Sequence, residues 1–335
     1  HSDGTGTVDQ IVAAGQKAGV DVILLTDHDS LAGKSQEGWH GSVLLLVGEE
    51  VSPERRNHYL AFGIDETIDH DGLDSAGIVR AVEQAGGFGF AAHPFSKGSE
   101  RFTRLGTGMP FEELETTGLA GIELWSFVTD TGEGLRSIPE ALRFVARPLD
   151  VLQHPPEANL DGWDRMCAER RTVAIGGLDA HQIGIRVRGR VPLRLMSYAR
   201  SFRQFRTHVL CEELPNGDLE HDRAQVYSAL REGRCYIGVD GRAPSRGFSF
   251  WAEGPDGAVL PMGAEAPQGD WTLRATVPRP AQLRLRRGGS EVASALGGEI
   301  EFPTAGEAGV YRVTATVENG GRDRTWVVSN PIYLR

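Results

Sequence analysis

Strand-length apolar runs recur through the first two-thirds of the chain, and most end in a histidine or a carboxylate. Val20-Asp-Val-Ile-Leu-Leu25 runs into Thr26-Asp27-His28-Asp29, and Val43-Leu-Leu-Leu-Val47 into Gly48-Glu49-Glu50. Gly87-Phe-Gly-Phe-Ala-Ala92 ends in His93-Pro94, and Thr172-Val-Ala-Ile-Gly176 leads to Gly177-Leu-Asp179-Ala-His181. His58-Tyr-Leu-Ala-Phe62 and Gly121-Ile-Glu-Leu-Trp125 complete the series. Helical signals lie between them. A Thr7/Gln10 capping box opens a helix that Gly19 stops, and further helices are predicted around 73–84 and 159–170. Continuous apolar strands alternating with helices predict a parallel sheet covered on both faces. The polar strand ends then gather at its carboxyl edge, where such folds bind ligands. No GxGxxG follows the first strand, so a dinucleotide site is unsupported.

The pattern changes near residue 245. From Arg246 onward the runs alternate, as in Trp271-Thr-Leu-Arg-Ala-Thr-Val277, Gln282-Leu-Arg-Leu-Arg286 and Tyr311-Arg-Val-Thr-Ala-Thr-Val317. Gly320-Gly321 marks a hairpin turn into Thr325-Trp-Val-Val328. This predicts a small antiparallel β-sandwich over 246–335, after an α/β domain over 1–245. Residues 182–245 carry one predicted helix, Arg223–Glu232, and a strand, Cys235–Val239, that is a candidate for closing a barrel.

Imidazole and carboxylate are the natural ligands of Zn²⁺, Mn²⁺ and Fe²⁺. A lone histidine at a strand end is most simply a hydrogen-bonded structural residue. Several converging on one sheet edge read differently. His1-Ser-Asp-Gly4, Thr26-Asp-His-Asp29, Gly48-x-Glu50, His58-Tyr-Leu, Ala92-His-Pro94 and Asp179-Ala-His181 resemble, in order and approximate spacing, the successive motifs of the PHP (polymerase and histidinol phosphatase) family. The resemblance covers residues 1 to about 240. It implies a distorted (β/α)7 TIM-like barrel, two or three divalent ions (Zn, Mn or Fe) and, most often, phosphoesterase activity. Trp326-Val-Val-Ser-Asn-Pro-Ile-Tyr333 and Gly247-Phe-Ser-Phe-Trp251 resemble, more weakly, a branch with a trailing β-domain that includes carbaryl-type hydrolases.

Carried over by motif, the resemblance makes His1 the second histidine of an HxH pair whose first member would precede the sequence. His1, Glu50 and Asp179 would hold one ion. Glu50 would bridge to a second, joined by His58 and His93. Asp3, His28 and His181 would hold a third. His1 runs straight into Ser2-Asp3-Gly4, where the family has intervening residues. Glu49 competes with Glu50, but the spacing from Gly48 favours Glu50. Asp27 is a candidate for orienting His28, with helix or turn capping as the alternative. Glu123 could reach the rim of the site or simply be a satisfied strand-end carboxylate.

Such a site needs no serine or cysteine nucleophile, because coordination lowers the pKa of water from 15.7 towards about 7. No GxSxG elbow is present. Cations follow two of the motifs: Lys97, Arg101 and Arg104 after His93, and Arg186, Arg188 and Arg190 after His181. Alternation across Ile185–Val191 would put the latter three on one face of a strand, as a phosphate clamp or as a solvated surface. His40, His70, His154, His208 and His221 match no motif and read as surface or structural residues.

The formal charge of −11 argues against a nucleic-acid surface built on bulk charge, leaving at most a short oligonucleotide as substrate. No apolar run approaches the roughly 18 residues of a membrane span. Three cysteines without a CxxC pair exclude a disulfide-built fold. A cytoplasmic location is expected. Export stays open because the chain opens without Met. The expected function is a metal-dependent phosphoesterase acting on a small molecule. Carboxyl or carbamate ester hydrolysis at the same site is the alternative, and a non-catalytic metal-binding recognition protein is the alternative of another class. Oligomeric state is not readable from the sequence.

Overall fold

The computed structural model describes residue 4 and residues 6–99, 108–181, 184–187, 190–194 and 197–335, with backbone alone for 184–187 and 190–194. The first sheet has seven strands: β1 (Val22–His28), β2 (Gly38–His40), β3 (Val43–Val51), β4 (Tyr59–Phe62), β5 (Phe88–Ala91), β6 (Gly121–Ser126) and β7 (Val173–Gly177). Its order is β1-β3-β4-β5-β6-β7, with β2 beside the first half of β3. Helices at Val8–Ala18, Ser75–Gln84 and Glu157–Glu169 intervene, as the periodicity predicts. Thr7 and Gln10 form the expected capping box, and Gly19 ends its helix at φ 67°.

The sheet departs from the expected all-parallel arrangement at two strands: the short β2 runs antiparallel to β3, and β4 is the second. β4 runs antiparallel to both β3 and β5. Only residues 52–58 link β3 to β4, too few for the dozen or so that a parallel crossover needs, so the chain turns straight back. His58, just before β4, therefore meets the carboxyl end of β3 rather than the opposite edge.

A complete barrel is not formed among the described residues. β7 has no strand laddered to its outer edge; side chains take that place. Asn330 accepts from Ala174 N (2.8 Å) and donates to Ala174 O (2.9 Å), while its amide also donates to Cys235 O (2.8 Å). Thr207 Oγ1 accepts from Gly176 N and donates to Gly176 O, both at 2.8 Å. Buried backbone groups must be paired, and here an amide and a hydroxyl stand in for the next strand.

The predicted single strand over 185–191 is instead a two-stranded hairpin. β8 (Gly184–Val187) and β9 (Arg190–Arg194) pair with Val187 opposite Arg190. In the sequence Gly189 stands between the two runs, and a glycine inside a strand weakens it.

The second sheet has ten strands and is almost wholly antiparallel. It contains β10 (Arg206–Val209), β11 (Cys235–Gly238), β12 (Ser249–Glu253), β13 (Val259–Pro261), β14 (Glu265–Ala266), β15 (Thr272–Arg287), β16 (Ser290–Pro303), β17 (Gly309–Glu318), β18 (Asp323–Ser329) and β19 (Ile332–Leu334). The predicted runs at 271–277 and 282–286 merge into β15, whose buried residues alternate from Leu273 to Leu285 over one apolar core. Gly320 and Gly321 turn β17 into β18 at φ 64° and 74°. β10 and β11, from before residue 245, belong to this sheet: β11 pairs with β18 rather than with a strand of the first sheet. The two parts of the chain thus share one hydrogen-bonded edge.

Candidate metal centre

The parallel register of β1 and β3 sets His28 beside Glu50, and the β3–β4 ladder sets Glu50 opposite Leu60, two residues past His58. His58 Nδ1 lies 2.7 Å from Glu50 Oε1, and His93 Nε2, arriving from the end of β5, lies 3.5 Å from the same oxygen. His28 Nδ1 is 3.8 Å from Glu50 Oε2. Glu50, His58 and His93 are buried, and His28 is half-buried. His28, Glu50 and His58 offer ligand atoms that all fall within 4.8 Å of one another. The rings of His58 and His93 are 5.4 Å apart, and His181 stacks on His28 at 6.3 Å.

Tetrahedral coordination with bonds of 2.0–2.1 Å separates ligand atoms by about 3.3 Å. The 3.5 Å spacing of His93 Nε2 from Glu50 Oε1 is of that size, and the 2.7 Å contact of His58 is a hydrogen bond that an ion would replace. The donor set therefore fits a divalent cation.

Hydrogen-bond partners orient three of the imidazoles. Ser52 donates its one hydroxyl proton to Glu50 O (2.7 Å), so at 2.6 Å its oxygen accepts from His28 Nδ1–H. That places the neutral lone pair of His28 on Nε2. His181 Nδ1 donates to Asp179 O (2.8 Å), and His93 Nδ1 faces Met109 O (3.3 Å). Each ring turns the same nitrogen to a fixed acceptor, the arrangement by which metal-ligating histidines are held.

The electrostatics ask for positive charge. Burial pushes the Glu50 carboxyl up, but hydrogen bonds from His58 and His93 outweigh it and hold the group well below the usual carboxylate range. Burial alone would lower His93; the Glu50 hydrogen bond, with Glu123, Glu50 and Asp179 nearby, raises it to about 10. A proton or a metal ion would answer the same field.

Backbone strain collects here. Asp29, His93 and Asp179, each just past the end of a strand, have φ of 47°, 30° and 48°, the left-handed region that non-glycine residues avoid. Asp179 is further tied by Thr129 Oγ1, which donates to its Oδ2 at 2.5 Å.

Glu49, one residue from Glu50, points to the other face of β3 and accepts from Ile68 N at 2.9 Å. Glu123 is buried; it accepts from His93 N at 2.8 Å, and burial pushes it up to about 7. Gly177 must stay small, since a Cβ there would sit 1.9 Å from Glu123 Oε1. Asp27, His28, Glu50, His93, Glu123, Asp179 and His181 all line one cavity of about 950 Å³.

Lys97 lines a different cavity, of about 740 Å³, with Ser96, Asp161 and Arg165. His1, Asp3, Arg101, Arg104 and Arg188 lie outside the described residues, and Arg186 and Arg190 are described by backbone alone, on opposite strands of the hairpin. Ser52, Thr129 and the Met109 carbonyl were not singled out in the sequence. Ser52 alone carries a signal: it follows Glu50 by two residues and so shares its face.

No protein-family model and no curated protein matches the chain. A solved structure of a two-domain protein from Bacteroides vulgatus, described as containing a predicted PHP-like metal-dependent phosphoesterase, is 15% identical, with 98% of this chain and 91% of that chain covered. The TM-score is 0.44, too low for the likeness to bear on this chain's chemistry.

Proposed function

We propose that this chain is a metal-dependent hydrolase of the PHP type, acting on a phosphoester at a centre of two or three divalent ions. The observation that carries the reading is the meeting, at one carboxylate, of imidazoles from three separate strands: Glu50 lies within 3.8 Å of His28, His58 and His93. Imidazole nitrogens gathered around one buried carboxylate at the ends of neighbouring strands are the donor set that a divalent cation takes.

Glu50, His28, His58, His93, Asp179 and His181 would hold the ions, with His1 and Asp3 completing the set implied by the motifs. The ions could be Zn, Mn or Fe, and when bound they would supply an activated water and an electrophile for the scissile centre. The chain's own part is geometric. Ser52, Met109 and the Asp179 carbonyl hold the rings in one tautomer, and the strained backbone at His93 and Asp179 sets both residues on the wall of the cavity. Arg186, Arg188, Arg190, Lys97 and Arg101 remain candidates for phosphate contacts. A carboxyl or carbamate ester, as in the carbaryl-type branch, is the second reading, favoured by the apolar walls of the cavity.

The test is elemental analysis of the purified protein, followed by turnover of bis(p-nitrophenyl) phosphate with Mn²⁺ or Zn²⁺. Two or three ions per chain and turnover are expected. In His93→Ala and Asp179→Ala, turnover is expected to fall by more than the about 10–100-fold typical of losing a ligand's supporting partner. Unchanged turnover in both variants would refute the ligand assignment. Metal binding without hydrolysis of phosphate or carboxyl esters would favour a recognition protein.

A further inference from the structure

The cavity at the cluster continues past it, and one wall beyond is apolar, with Arg206, Asp222 and Arg246 among the polar groups that also line it. Leu24, Leu44, Leu60, Phe62, Ile175 and Val226 line it, and all six belong to one apolar cluster on the inner side of the first sheet. Leu60 stands directly opposite Glu50 in the β3–β4 ladder, so the apolar wall begins at the carboxylate itself. Leu24 shares a face of β1 with His28, and four residues at about 3.3 Å each put it about 13 Å further along the strand. Leu24 and Leu60 are only half-buried, unlike the Leu46 that Leu24 pairs with.

Protein interiors hold few voids larger than a water molecule, and an unfilled apolar cavity forfeits contacts on every wall. About 950 Å³ is instead the size of a ligand pocket, and mostly apolar walls with a few converging polar groups are the usual lining of one. Inorganic phosphate or a small polar ester would occupy only the cluster end.

We propose that the site takes esters carrying a long apolar group, alkyl or aryl, which lies along β1 while the ester linkage sits at Glu50. This rests on the hydrolase reading above. In the reaction the oxygen of water bonds to phosphorus and the phosphorus–oxygen bond to one alcohol breaks. The alcohol departs with one proton of the water, and the other is released from the phosphate product.

The experiment compares p-nitrophenyl methyl, butyl and octyl phosphodiesters on the full chain with Mn²⁺. Burying a methylene is worth about 0.8 kcal/mol, or about fourfold. An increase in kcat/KM of at least about tenfold from methyl to octyl is expected, and a flat or falling series overturns the proposal. Leu24→Trp, which fills the channel, should cut the octyl-to-methyl ratio at least about fivefold; an unchanged ratio counts against the channel. Should that variant fail to fold, the unaltered chain answers by binding. Octyl phosphate should displace 1-anilinonaphthalene-8-sulfonate at a concentration at least about tenfold below that of inorganic phosphate, and equal potency overturns the proposal. Tight octyl phosphate binding with none of the diesters cleaved would support the apolar subsite and refute the hydrolase reading.

Discussion

A hydroxyl has a single proton to give, and at Ser52 that fact sets the chemistry of a neighbour. Because the proton goes to Glu50 O, His28 must be the donor at Nδ1, and its basic nitrogen is the other one. Ser52→Ala removes the acceptor and frees the ring to rotate or change tautomer. Metal affinity, measured by competition with a chromogenic chelator, should fall about 10–100-fold while the thermal midpoint of the metal-free protein changes little. An equal affinity would show that Ser52 does not orient His28. The residues of the cluster were legible because imidazoles and carboxylates at strand ends are informative and two-residue periodicity separates Glu50 from Glu49. Ser52 was not, since a serine before a proline reads as a loop, and its place two residues after Glu50 becomes a signal only once Glu50 is known to face the site. Asp27, expected to orient His28, lines the cavity, while the group found at Nδ1 is a hydroxyl from the neighbouring strand.

Apolar runs revealed the strands but not their partners. β4 was readable as a strand, yet its reversed direction follows from the short link before it, and the α/β pattern gave no weight to that link. The closing strand was misplaced for a different reason. Cys235–Gly238 has the composition of any buried strand, and only the long-range pairing with Val327–Ser329 assigns it to the second sheet. At the junction one amide holds three backbone groups of β7 and β11. Leaving a buried group unpaired costs about 1–3 kcal/mol, so Asn330→Leu should destabilise the fold by about 3 kcal/mol or more in urea unfolding. A change below about 1 kcal/mol would mean that water replaces the amide. Nearby, Asp240 accepts from Ser245 Oγ (2.6 Å) and meets His208 Nε2 (3.1 Å). Burial opposes its charge, but the bonds from His208 and Ser245 prevail and lower its pKa. A carboxyl depressed in the folded state adds stability above its unfolded pKa of about 4 and loses it as pH falls through the folded value. The difference in thermal midpoint between the protein and Asp240→Asn should therefore be full at pH 6 and shrink as the pH falls below about 4. A difference independent of pH would show that the charge does not matter.

At the scale of the whole molecule, the two sheets are joined by the Asn330 side chain, which bonds β7 and β11, and by an Arg312–Asp164 pair, with bonds of 2.9 and 2.7 Å, between β17 and the helix Glu157–Glu169. Tyr333 OH adds an acceptor for Thr172 N at 3.0 Å. The boundary read at residue 245 marks a change of pattern. We expect that residues 1–245 expressed alone would expose the edges of β7 and β11 and fail to give a cooperative melting transition. A sharp transition close to that of the full chain would show that the α/β part folds independently. The net charge of −11 also changes meaning at this scale, because divalent ions at Glu50 would set the local sign. The contact of Asn330 with β7 has a mechanical side as well. Arg335 lies five residues beyond Asn330, and Asp179 and His181 lie just past the other end of the strand that Asn330 grips. Tension applied at Arg335 would load that strand through the amide, and with it the end of the Glu157–Glu169 helix, whose Cys167 and Ala168 carbonyls accept from Arg335 Nη1. Residues 330–335 are thus a handle on the strand that leads to Asp179 and His181, and an optical trap pulling on them would be pulling on the candidate metal site.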